Sequence, residues 1–171
     1  MLGSDVVKTL GGLAPFGIVL MGIGAAIWWL LSGGNSLGKW LLAGFLVAHG
    51  LIHLLFLAPT PAASGSGTAW PFDLGQSWLV GNAWLDVGLV RVIGAVLVIA
   101  VAGAFVLSGL ATAGIVVPSD WWRPLVAASA LVSVVTLVLF FDPQLVLGLA
   151  IDGVLLGVVV TAVWTPASVL T

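Results

Sequence analysis

The sequence predicts an all-α integral membrane protein, a five-transmembrane-helix bundle with one long Trp-rich external loop. Three observations carry that prediction. Composition is the first: 171 residues are 61% hydrophobic and only 6% charged, against about 25% charged in a soluble domain. Mean hydropathy is +1.31, more apolar surface than a soluble fold of this size could hide, so the solvent must be lipid. The second is length. Five apolar segments, roughly 13–31, 40–58, 87–111, 122–141 and 144–164, each approach the ~20 residues that cross a hydrocarbon core. The third is tryptophan, which prefers the membrane–water boundary. Five spans place Trp28, Trp29, Trp40, Trp121, Trp122 and Trp164 at one boundary, and Trp70, Trp78 and Trp84 at the other. None falls at mid-membrane.

The elements follow in order. Segment 13–31 has too long an apolar run for a signal peptide, and its flank holds Asp5 and Lys8, so a retained helix is expected. Pro15 marks or bends its first turn. Ser32-Gly33-Gly34-Asn35-Ser36 is a turn cluster. Residues 59–86 form the long loop: PTPAASGSG is irregular by composition, and WPFDLGQSWLVGNAWLD suits a short helix lying in the interface. Pro118-Ser119-Asp120 offers a helix stop and then a cap. Asp142-Pro143 reads as an N-cap followed by proline at N1, closing spans four and five into a hairpin. The chain 1–171 reads as a single transmembrane domain.

Charge limits function and orientation. Four basic residues and no basic run speak against nucleic acid as a partner. The absence of cysteine excludes thiolate metal sites and thiol redox chemistry. Lys39 and Arg123 flank spans on the side away from the N-terminus, and the long loop holds no Lys or Arg. The positive-inside rule then puts the N-terminus and loop 59–86 outside and the C-terminus in the cytoplasm. A prokaryotic plasma membrane is the expected location.

Polar groups inside the spans are the candidate site. His49 and His53, in AHGLIHLLF, share one helical face at i, i+4. Arg91, Asp152, Ser133 and Thr136 fall at a similar depth on three other helices, counted at about 1.5 Å of rise per residue. Ionisable groups at such depth are costly unless they face the bundle interior and pair. One polar cluster is therefore expected beneath the loop, with Arg91 and Asp152 as its ion pair. Ser129 joins Ser133 and Thr136 in a hydroxyl stripe that otherwise bonds to backbone or packs. The bland alternative for the histidines is interhelical hydrogen bonding; for Arg91 it is snorkelling to the interface. HxxxH can also offer His49 and His53 to one metal, although the glutamate of a metalloprotease motif is missing. Haem ligation and quinone binding stay open beside metal. Asp73, Asp86, Asp120 and Asp142 read as caps or solvated groups. Gly153 and Gly157 form a GxxxG for helix packing or self-association. Gly44/Ala48 and Ala100/Ala104 are similar small pairs.

HGLIH at 49–53, WWRP at 121–124 and LGLAID at 147–152 resemble a group of small prokaryotic membrane proteins, distantly similar in layout to DoxX-like four-helix proteins. The resemblance covers spans two to five and implies a compact helical bundle. It implies no reaction and no catalytic residue. Without a catalytic constellation, the expected function is a non-enzymatic accessory or assembly subunit of a membrane complex, or a homo-oligomer in lipid. Two alternatives use the polar cluster: a proton- or ion-coupled carrier of a small solute, and a metal-, haem- or quinone-binding redox protein.

Overall fold

A computed structural model describes residues 36–59 and 70–161. Those residues are organised as helices and short turns, with no strand among them. Four stretches are long and apolar enough to cross a membrane: Ser36–Leu57, Val87–Ala113, Ser119–Leu139 and Pro143–Thr161. They match four of the five expected segments to within a few residues. The remaining segment, 13–31, lies outside the described residues, as do Trp28, Trp29 and Trp164.

Local chemistry sets most boundaries. Helix α1 (Ser36–Ile52) tightens into a 3-10 turn at His53–Leu57. In the loop, Asp73 caps a 3-10 turn at Leu74–Gln76, and Ser77 caps the short helix α2 (Trp78–Asn82). Asp86 caps α3 (Val87–Ala113), its carboxylate accepting the Leu89 N–H at 3.0 Å. Gly114 ends α3 at φ 72, where its N–H and that of Ile115 return to the carbonyls of Ala111 and Leu110, a glycine-dependent helix end. This corrects the expected roles of Pro118, Ser119 and Asp120. The glycine has already stopped α3, and the 3-10 turn Ser119–Trp121 leads into α4 (Trp122–Leu139) with no side-chain cap. Asp120 is exposed. Asp142 does cap: it accepts the Gln144 N–H at 2.8 Å, and Pro143 opens the turn that leads into α5 (Val146–Thr161).

Helix α1 packs on α3, α3 on α4, and α4 on α5, while α1 and α5 make little mutual contact. Small residues allow the closest approach, as expected between helices in lipid. A methyl on Gly50 would stand 2.5 Å from Phe105 Cβ, and one on Gly109 would stand 2.8 Å from the Ala43 carbonyl. Gly153 and Gly157 do not serve this purpose among the described helices. Both are exposed, and no described residue lies within 4 Å of a methyl placed on either. Gly44 and Ala48 are likewise exposed.

Two apolar clusters fill the bundle. One gathers Leu46, Val101, Phe105, Trp122, Val126 and Leu155. The other gathers Phe56, Leu74, Val90, Val98, Leu137 and Phe140. The second lies under the loop, which is fastened to the end of α4. Ser77 Oγ donates to the Leu139 carbonyl at 2.6 Å, and Trp78 Nε1 donates to the Val138 carbonyl at 2.9 Å. Carbonyls in the last turn of a helix have no intrahelical partner, so the loop completes α4 while α4 holds the loop. Phe72 follows, edge-on to Phe56 at 5.2 Å between ring centres.

Candidate functional site

The site forms where α1 tightens. His53 Nδ1 lies 3.0 Å from the His49 carbonyl. A carbonyl only accepts, so this nitrogen carries a hydrogen and donates. His53 Nε2 lies 2.9 Å from Ser133 Oγ on α4. Ser133 Oγ is in turn 2.6 Å from Asp152 Oδ2 on α5. Asp152 Oδ1 is 3.0 Å from His49 Nε2. The four side chains thus form one continuous hydrogen-bonded chain that starts and ends at His49. Asp152 and Ser133 are wholly buried, and both histidines are nearly so.

The surroundings are aromatic. Phe105 of α3 meets the His49 ring edge-on at 4.8 Å and stacks on His53 at 6.3 Å. Phe45 stacks on His49 from one turn earlier. Three helices and a turn therefore enclose a carboxyl group in apolar material. That carboxyl meets His49 and Ser133, side chains from two other elements, and such pairing is the condition under which a buried acid is tolerated.

Four of the six side chains expected at one depth come together: His49, His53, Ser133 and Asp152. Thr136 is buried on the same face of α4, but its hydroxyl donates to the Val132 carbonyl of its own helix at 2.8 Å. Arg91 stands apart. It is exposed, and its guanidinium lies over Gly75 in the loop, where a methyl on that glycine would meet Nη2 at 2.8 Å. The expected Arg91–Asp152 ion pair is not formed. His49 takes that place, because an arginine near a helix end can reach the boundary with its long stem.

Sequence reading missed a second polar contact. Ser108 and Thr112 of α3 are fully buried. Ser108 Oγ meets Ser129 Oγ at 3.0 Å, while Thr112 donates to the Ser108 carbonyl at 2.8 Å. Their i, i+4 spacing on α3 was the available signal. Arg123, read from the sequence only as a flanking charge, donates to the Val159 carbonyl at 2.8 Å, tying α4 to α5.

Beside the histidines is a cavity of about 320 Å³. His49, His53 and Gln144 are its polar walls. Phe45, Ile52, Phe72, Leu145 and Ile151 are among its apolar ones. It lies between α1 and α5, the pair that pack little on each other, and reaches the exposed Ala48 and Ile52. It is open on one side, and its volume lies at the lower end of the range of small-molecule pockets. The donor set is poorly matched to a metal. No group of three metal-type ligands gathers among the described residues, and both Nε2 atoms are already engaged.

No family model matches the chain, and neither a curated protein nor a solved structure matches it.

Proposed function

We propose that this is a five-span integral membrane protein whose bundle binds a small, lipid-soluble hydroxy-aromatic molecule, of the phenol or quinol kind. The N-terminus and the Trp-rich loop face outward in this reading, so the pocket sits in the outer half of the bilayer. One observation carries it: both membrane-depth histidines, with Gln144, wall a mainly apolar cavity of about 320 Å³. Ionisable residues at this depth are functional candidates by default.

The ligand class follows from proton chemistry. Asp152 accepts from His49 Nε2 and so selects the tautomer in which Nδ1 has a free lone pair. In that tautomer Nδ1 is an acceptor on a ring that walls the cavity. A ligand hydroxyl is the complementary group, and aromatic rings suit the Phe45, Phe56 and Phe72 walls. Access is lateral, between α1 and α5, from lipid. The accessory-subunit reading draws on the absence of a catalytic constellation, the near-absence of soluble parts and extensive small-residue and Trp surface, none of which bears on this cavity.

Calorimetric titration of the purified protein in detergent with a short-chain benzoquinol tests the reading. Saturable one-to-one binding is expected, weakened at least about tenfold by His49→Phe, the loss of one buried hydrogen bond. Ala48→Trp, at the mouth, should abolish it. Absence of binding, or binding indifferent to both substitutions, would refute the pocket.

A further inference from the structure

The hydrogen-bond chain can be counted in protons, and the count does not close for ordinary ionisation. Take a neutral imidazole at His53 and a carboxylate at Asp152, the ordinary forms of these side chains at neutral pH. Ser133 has one hydrogen to donate. If it donates to Asp152, then His53 Nε2 must donate to Ser133, at 2.9 Å. A neutral ring with its hydrogen on Nε2 has a bare Nδ1, which would then point its lone pair at the His49 carbonyl from 3.0 Å. Placing the hydrogen on Nδ1 instead leaves Nε2 and Ser133 Oγ lone pair to lone pair. Turning the Ser133 hydroxyl toward His53 leaves its oxygen facing the carboxylate oxygen at 2.6 Å. Each choice sets two acceptors against each other inside a buried site.

One added proton removes the conflict, in either of two arrangements. In the first, His53 is an imidazolium that donates from Nδ1 to the His49 carbonyl and from Nε2 to Ser133, while Ser133 donates to the Asp152 carboxylate. In the second, Asp152 is a carboxylic acid that donates from Oδ2 to Ser133, Ser133 donates to His53 Nε2, and His53 is neutral. His49 Nε2 donates to Oδ1 in both. The arrangements interconvert by moving two hydrogens along the same bonds. The Oδ2–H bond breaks as the Ser133 O–H forms, and the old Ser133 O–H breaks as the Nε2–H forms. The pair is net neutral in both, which a low-dielectric interior favours.

From this geometry we infer that His53, Ser133 and Asp152 jointly hold one proton at neutral pH, with the Ser133 hydroxyl as the relay between imidazole and carboxyl. The site is thus a built-in proton store beside the cavity, whether or not the cavity holds a ligand. Few other charges bear on it. Among the described residues, α1 presents His49, the 3-10 turn His53 and α5 Asp152. Helices α3 and α4 present Phe105 and Ser133, neither of which titrates in this range. Arg91 lies at Gly75, Arg123 at the Val159 carbonyl, and Lys39 over the Trp40 ring.

The chain has two histidines, so nitrogen NMR of the histidine-labelled protein in detergent resolves both rings, and infrared difference spectroscopy against Asp152→Asn reports the carboxyl. The measurement is made without added ligand at about pH 8, above the ordinary imidazole pKa. Expected is either a doubly protonated His53 ring or the carbonyl band of a protonated Asp152. A neutral His53 together with an ionised Asp152 would overturn the inference, even if benzoquinol binds. Ser133→Thr keeps a hydroxyl and should keep the proton; Ser133→Ala should release it, leaving His53 neutral and Asp152 ionised. Retention of the proton in Ser133→Ala would overturn the relay, and the wild-type spectra decide the proton count should that variant fail to fold.

Discussion

Ser129 and Ser133 lie one turn apart on the same face of α4, and both are completely buried. They do different work. Ser129 donates to the Leu125 carbonyl of its own helix at 2.7 Å and touches Ser108 across the α3–α4 seam. Ser133 is instead committed to Asp152 and His53, residues 19 and 80 positions away. A hydroxyl satisfied by its own helix needs nothing from the fold. A hydroxyl shared between a carboxyl and an imidazole requires three elements to be held in register. The first is packing that tolerates loss; the second is a network in which each member supports the others.

The comparison can be broken most directly at Asp152. Asp152→Ala would strip His49 and Ser133 of a common partner. Each buried partner left unsatisfied costs about 1–3 kcal/mol, and two are affected here, so a large loss of thermal stability in detergent is expected. A loss no greater than that of a surface substitution would show that the network contributes nothing to folding.

The next contrast is between the serines themselves. Ser133→Ala leaves His53 Nε2 and Asp152 Oδ2 short of a bond, and an unsatisfied buried group costs about 1–3 kcal/mol. Ser129→Ala should cost about 0.6 kcal/mol, the usual size of an interhelical hydrogen bond in a membrane. Unfolding both variants under identical conditions ranks them. A double-mutant cycle then sharpens the distinction: Ser133→Ala with His53→Phe should be non-additive by at least about 0.5 kcal/mol, whereas Ser129→Ala with His53→Phe should add within that margin.

Glycines supply a further pair. Gly109→Ala would drive a methyl against the Ala43 carbonyl and should destabilise by about 1–3 kcal/mol through overpacking. Gly153→Ala, on an open face, should change the stability of a monomer by less than about 0.5 kcal/mol. If Gly153→Ala instead shifts the oligomeric state in a sedimentation experiment, that face is a contact between copies.

The last contrast concerns the loop. Trp78→Phe removes the donor to the Val138 carbonyl but keeps most of the ring, and one partly exposed hydrogen bond is worth about 0.5–1.5 kcal/mol. Faster amide exchange confined to the end of α4 and to residues 70–86 would identify this contact as the fastening. Exchange spread through the bundle would mean that the loop is part of the core.

Much of this protein was legible in one dimension. Four apolar segments became helices near their expected bounds, because a span is specified by its own composition and length. Asp86-Val87 and Asp142-Pro143 mark helix starts through side chains that reach only two or three residues ahead. Depth was legible too, since rise per residue is constant along a helix, and four of six polar groups at similar depth did meet. Rotation about each helix axis was not. It decided that Arg91 turns to the loop and Thr136 to its own backbone, and that His49 and Ser133 take the two oxygens of Asp152. Among the described helices, it also decided that Gly50 and Gly109, not Gly153 and Gly157, let neighbours touch. Hydrophobic periodicity is faint in helices that are apolar on every side, so the sequence carries little record of which face turns inward. That choice is made by the shapes that fit between helices, and only the packed bundle contains it.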